Sequence, residues 1–149
     1  MLPRGIRNHN PGNIIQNKTQ WKGARKQPFD PKFVEFETPE WGIRAMMRIL
    51  QTYYHKYGLD NVQAIINRWA PPHENATDQY AHYVAKFMGV KRFDAMDVND
   101  PKVLIPLCQA IVIFENGRPK KELQETYPEA WYEEAQYQAA YNLLQTQYA

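Results

Sequence analysis

A single cysteine, Cys108, leaves this chain without an internal disulfide framework or a zinc site built on several thiolates. No apolar run approaches the ~20 residues that a membrane-spanning helix needs. The opening Met1-Leu2-Pro3-Arg4-Gly5 lacks the apolar core of a secretory signal, so synthesis in a reducing compartment without a signal peptide is expected. His9, His55, His73 and His82 are scattered and form no HExxH pair, and no metal site is expected. GxGxxG, a phosphate loop with Gly-Lys-Ser/Thr and a GxSxG elbow are all missing, which removes the commonest nucleotide and serine-hydrolase signatures. No cofactor is implied.

Carboxylates are also missing from one stretch. Residues 1–29 carry Arg4, Arg7, Lys18, Lys22, Arg25 and Lys26 and no acid, although the whole chain is only +2. Such a basic arm suits an anionic polymer such as cell-wall material, and less well nucleic acid, which is not the expected partner. The alternative is an ordinary solvated surface.

What remains is a chain of 149 residues, 44% hydrophobic and 23% charged, the usage of a folded globular protein. That length suits one domain, 1–149, able to bury roughly 70% of its unfolded surface. Residues 4–37, rich in Gly, Pro and Asn, read as loops with a small antiparallel sheet, because Phe33-Val34-Glu35-Phe36 alternates with period two. From Thr38 the period becomes helical. Thr38 as N-cap, Pro39 behind it and Gly58 as terminator frame a helix with Ile43, Met46, Met47, Leu50, Tyr53, Tyr54 and Tyr57 on one stripe. A second helix follows Asp60 and stops at Pro71-Pro72, and a third starts near Asn75 and ends at Gly89. A fourth is expected from Pro106 to Asn116, and a last from about Pro128 to Gln145 with Trp131, Ala135, Ala139 and Leu143 inward. The fold class is therefore mainly α, an α+β domain of five or six helices.

Chemistry falls to carboxylates. Glu115 ends the most apolar helix, where the negative end of the helix dipole and poor hydration by Ile111 and Val112 favour a protonated acid. A carboxyl kept neutral is what a general acid requires; the other reading is a partly exposed Glu that caps the helix or pairs with Arg118. Glu74, in Pro71-Pro72-His73-Glu74-Asn75, lies at a helix N-terminus and has the opposite setting, so the two suit an acid/base division of labour, its other reading being an acid that only stabilises the helix dipole. Asp30, between Phe29 and Pro31, is a third candidate, and its other reading is a turn residue. Trp21, in a polar segment, is the aromatic best placed to face a sugar, ahead of Trp69, Tyr53, Tyr54 and Tyr80, which read as core. Cys108, in an apolar helix, reads as inert packing.

The string Arg4-Gly5-Ile6-Arg7-Asn8-His9-Asn10-Pro11-Gly12-Asn13-Ile14 resembles the opening of a family of small lysozyme-like phage and prophage proteins, some labelled phage structural protein. The likeness continues in order through Trp21-Lys22-Gly23, Asp30, Phe33-Val34-Glu35-Phe36, Trp41-Gly42-Ile43-Arg44-Ala45, Arg68-Trp69-Ala70-Pro71-Pro72, Glu74-Asn75-Ala76-Thr77 and Glu115-Asn116-Gly117. It covers roughly residues 4–117; His9 stands where the family usually has Asn, and residues 118–149 depart from the pattern. The apolar helix ending in Glu115 comes last and the Asn10-Pro11-Gly12-Asn13-Ile14 segment first, an order similar to a circularly permuted lysozyme.

The resemblance implies a single lysozyme-like domain that acts on bacterial peptidoglycan as a muramidase or lytic transglycosylase, an endolysin-type hydrolase needing no cofactor. It implies Glu115 and Glu74 as catalytic, with Asp30, Asn75, Trp21 and Asn13 on the substrate. A monomer is expected, reaching the wall after release or carried in a virion. The rival reading is a non-catalytic virion or wall-binding protein on the same fold.

Overall fold

The computed structural model describes residues 1–146. Helices dominate it: α1 (Arg4–Arg7), α2 (Pro39–Tyr57), α3 (Val62–Trp69), α4 (Thr77–Met88), α5 (Pro101–Asn116) and α6 (Glu134–Thr146), with a 3-10 turn at Lys121–Leu123. No helix among the described residues is long and apolar enough to cross a membrane.

The framing of α2 is as expected. The Thr38 side chain accepts from the Trp41 amide, Pro39 opens the first turn, and Gly58 ends the helix at φ +66°. Ile43, Met46, Met47 and Leu50 are buried, while the stripe surfaces at Tyr57. α2 packs chiefly on α6, and α4 lies between α3 and α5. The heart of the core is α5, where Leu104, Leu107, Cys108, Ala110, Ile111 and Val112 are fully enclosed. Burial pushes the Cys108 thiol up, which fits inert packing.

Four expectations need correction. First, α5 begins at Pro101, not Pro106. Asp100 caps it by accepting from the Lys102 amide, and Pro101 suits the first position. Pro106 deprives only the Lys102 carbonyl of its helical donor, and Lys102 is exposed, so water replaces the bond.

Second, α4 begins at Thr77, and Asn75 does not cap it; the Asn75 side chain donates instead to the Pro71 carbonyl. Third, α6 begins at Glu134, not Pro128, because Trp131 is held at φ +69° with its indole donating 2.8 Å to the Gly117 carbonyl. The inward face of α6 is then Tyr137, Ala140 and Leu144, while Ala135 is exposed.

Fourth, the N-terminal sheet is absent among the described residues. Only two isolated antiparallel bridges form, Ile15 with Phe33 and Ala24 with Phe36. Side chains take the place of a ladder. Asn10, wholly buried, accepts from the Ile14 amide and donates to the carbonyls of Ile14 and Val34, at 2.8–3.0 Å. Gln16 does the same for the carbonyls of Asp30 and Phe33. With backbone groups met locally, nothing drives a longer strand pairing. The helical turn α1 was also not foreseen.

His9 and Asn13 sit at φ +52° and +51°, a left-handed region that Asn tolerates better than other side chains. Between them the chain lies directly against α2, since a Cβ on Gly42 would stand 1.9 Å from the His9 carbonyl oxygen. Gly58 has open space but positive φ. Thermal melts of two alanine variants separate these causes. Gly42→Ala is expected to cost about 2–3 kcal/mol through overpacking against backbone, and Gly58→Ala about 1 kcal/mol through φ alone.

Candidate active site

Glu115 occupies the last turn of α5, half-buried, where the helix runs out onto the N-terminal segment. Both carboxyl oxygens are met. The Tyr80 hydroxyl of α4 donates to Oε2 at 2.7 Å, and the Asn13 amide donates to Oε1 at 3.2 Å. Asn116, next in sequence, donates to the Pro11 and Val112 carbonyls at 2.8 Å each, joining the helix end to the same segment.

Glycine makes the approach possible. A Cβ on Gly5 would stand 2.6 Å from Asn116 Oδ1 and 2.7 Å from Asn13 Oδ1, so both amide oxygens occupy the space that a side chain at Gly5 would need. With its Oδ1 turned inward, Asn13 presents Nδ2 to the carboxyl. Burial holds the Tyr80 phenol well above its ordinary pKa, the neighbouring Glu115 charge and hydrogen bond raise it further, and the Trp69 indole works weakly against them. Tyr80 is therefore a permanent neutral donor, its ring stacked on Phe114 at 3.9 Å.

Glu115 opens into a groove of about 390 Å3 whose lining includes Asn13, Asn17, Lys32, Tyr53, Trp69, Glu74 and Asn75. Four of the six expected site residues, Glu115, Glu74, Asn75 and Asn13, are thus brought together from three parts of the chain. Glu74 is not on the first turn of α4, which starts three residues later; its side chain is 65% exposed, with the His73 ring 3.5 Å away. Glu74 therefore lacks the first-turn position expected of it.

Asp30 lies elsewhere. Arg4 grips it through two bonds of 2.7 Å, and Asn8 and the amides of Lys32 and Phe33 add three more. The Arg4 guanidinium above all, aided by those amides, holds its carboxyl far below the usual carboxylate range. It fastens the 16–33 loop to α1 and has no free edge for a sugar. Trp21 also misses the groove, packing partly on the core beside a separate depression. The aromatics that do line the groove are Phe33, Tyr53 and Trp69, the last two read from sequence as core. For Trp69 the available signal was position: it is the last residue of α3, just before the Pro-Pro stop, where a side chain leaves the core. Among the described residues no three His, Cys, Asp or Glu side chains gather in a way that could hold a metal ion.

The structure is thus a mainly helical domain with a half-buried carboxyl, doubly hydrogen-bonded, at the floor of an aromatic-lined groove. No family model matches the chain. It is similar to Protein P5 of Pseudoalteromonas phage PM2, 44% identical over 118 residues that span 76% of this chain and 71% of that protein. The chain belongs to the family of Protein P5, and that relative is a bacteriophage protein.

Two outcomes test this geometry. Asp30 has its folded pKa depressed below the unfolded value, so its stabilisation is complete above about pH 3.9 and is lost as pH falls through the folded value. Asp30→Asn is therefore expected to melt well below wild type at pH 6, with the gap narrowing on acidification toward pH about 3. Tyr80→Phe keeps the stacked ring and removes one hydrogen bond, and should cost about 1 kcal/mol in a denaturant titration.

Proposed function

We propose that the chain cleaves the glycan strand of bacterial peptidoglycan between N-acetylmuramic acid and N-acetylglucosamine, on a lysozyme-like fold. The observation that carries this reading is the meeting of Glu115, at the end of the apolar helix α5, with the Asn13 turn over one groove. Those two segments are the ones whose reversed order suggested a permuted lysozyme, and their contact across 102 positions supports the resemblance.

Glu115, half-enclosed and directed by Tyr80 and Asn13, protonates the leaving glycosidic oxygen. Tyr53 and Trp69 offer flat apolar faces for sugar rings, and Asn75 and Asn17 offer amides for hydroxyl and N-acetyl groups. In hydrolysis Glu74 holds the attacking water, which bonds to the sugar carbon as the glycosidic bond breaks and gives up a proton to the carboxylate.

A second reading shares Glu115 and is favoured by the exposure of Glu74 together with the capture of Asp30 by Arg4. With one carboxylate in place, a hydroxyl of the sugar itself attacks the sugar carbon as the glycosidic bond breaks, returns its proton to the Glu115 carboxylate and leaves an anhydro end, the outcome of a lytic transglycosylase. The protein acts as a monomer at the wall, after release or from a virion, in keeping with its phage relative.

Mass spectrometry of digested cell walls distinguishes the routes, because an anhydro end lacks one water. Glu115→Gln is expected to keep the melting temperature within a few degrees and to lose at least about a hundredfold in rate. Near-normal turnover in that variant removes Glu115 from the mechanism. No soluble fragment from wild type leaves the non-catalytic wall-binding or virion protein as the answer. Glu74→Gln lowers turnover if hydrolysis is the route and leaves it unchanged for the single-carboxylate route.

A further inference from the structure

Lys32 is the one cation among the residues that line the Glu115 groove. Its backbone is fixed on both sides. The amide donates to Asp30 Oδ1 at 2.9 Å, and the carbonyl accepts from the Gln16 amide at 2.8 Å. Phe33, next to it on the wall, is tied to the same carboxylate through its own amide. Lys32 itself is exposed, with its ammonium 5.2 Å from the centre of the Phe33 ring.

The acids on the groove are engaged elsewhere. Ion pairs among the described residues are Arg4–Asp30, His73–Glu74 and Arg118–Glu129, and Lys32 is in none of them. Glu115 takes its hydrogen bonds from Tyr80 and Asn13, and Glu74 stands beside His73. The rest of the lining is apolar or amide, as at Tyr53, Trp69, Asn17 and Asn75, and such groups meet a neutral and a charged sugar alike. Without Lys32, two carboxylates and no cation would line the groove, a balance that turns an anionic strand away.

We propose that Lys32 is a specificity-determining residue that pairs with a carboxylate carried by the glycan, so that the groove selects an acidic N-acetylated strand over a neutral one. This assignment rests on the reading of the groove as a glycan site and needs no cleavage. A wall glycan supplies such a carboxylate in two ways: on the lactyl ether of N-acetylmuramic acid where the peptide stem is removed, or on the stem itself where it is attached. A lysine on a fixed stretch of backbone suits either, because its ammonium is a point charge on a flexible stem and demands no bidentate geometry.

The test measures binding of the full chain to four glycans of matched length: peptide-free wall strands, the same strands methyl-esterified at the carboxyl, strands that keep their stems, and a neutral N-acetylglucosamine oligomer. Glu115→Gln is the parent for calorimetry, so that the strands stay intact, and cleavage is followed in the protein that retains Glu115. The parent is expected to bind an acidic strand at least about threefold tighter than the ester, the scale of a favourable exposed ion pair. That preference shrinks between about 50 and about 300 mM salt. Adding Lys32→Gln abolishes it and leaves affinity for the ester and the neutral oligomer unchanged. Lys32→Arg keeps it, as does Lys102→Gln, the same loss of charge at the opposite end of α5. A tighter hold on peptide-free strands assigns the lactyl carboxylate, and on stem-bearing strands the stem carboxylate.

Equal affinity of the parent for acidic strands and ester overturns the assignment, whether or not Lys32→Gln folds, and so does a preference that survives in Lys32→Gln. If the wall is cleaved in either of those cases, the cleavage reading still stands. A Lys32-dependent preference without cleavage keeps the assignment and removes the cleavage reading. Failure to bind any of the four glycans overturns both.

Discussion

The seating of residues 5–14 on the C-terminal end of α5 is the constraint on which the rest depends. Three glycines let backbone meet backbone or side chain where a methyl group would collide: Gly5 under Asn13 and Asn116, Gly12 against Met46 and Trp69, and Gly42 against the His9 carbonyl. Asn10 then meets three backbone groups in the interior, which makes burial of an irregular segment affordable. The segment touches α2, α3 and α5 at once, so the same contacts that close the core also set the distance between Asn13 and Glu115. Fold and site are one construction here. A loosening of the turn at Asn10–Asn13 would move an amide away from the carboxyl before it unfolded a helix.

Much of the helical framework was legible because its signals are local. Thr38, Pro39 and Gly58 bound α2 by capping chemistry that acts within a few residues, Gly89 closes α4 with the same left-handed cap, and Gly117 ends α5 at positive φ with an extended ψ. The failures share a cause of the opposite kind. Pro106 reads as a break when only its own helix is considered, but its cost is a single carbonyl at a solvent-exposed turn, against the burial of Leu104 and Ile105 that starting at Pro101 secures. Trp131 has a residue pattern fit for a helix and is drawn out of it by a bond to Gly117, fourteen positions away. The expected sheet failed because period-two alternation reports one buried face and says nothing about which groups satisfy the backbone.

The candidate site divides in the same way. Glu115 was readable from its position at the end of an apolar helix, and Asn13 from the string that carries the family resemblance. Tyr80 was placed correctly as buried, yet its hydroxyl is aimed at a carboxyl 35 positions on, a contact that no periodicity encodes. Asp30 had the right residue type and the wrong neighbours. Five donors converge on it, chiefly from Arg4, and a carboxylate so fully satisfied is a fastener. Composition gave no means of telling which acid would be held in this way and which would open onto a groove.

The Arg4–Asp30 pair also explains how the chain keeps two unlike surfaces side by side. The 16–33 loop carries the exposed Lys18, Lys22, Arg25 and Lys26, while Lys32 and Phe33, at its end, help line the groove beside Glu115. Were Asp30 unpaired and exposed, its charge would offset the basic loop. Its pairing with Arg4 cancels that acid against one base, leaving the balance along the loop positive. Because the Lys32 and Phe33 amides bond to the same carboxylate, the pair holds the loop's return strand against Ile15 and therefore the wall of the groove. The ion pair that takes Asp30 out of chemistry thus shapes the groove in which Glu115 stands.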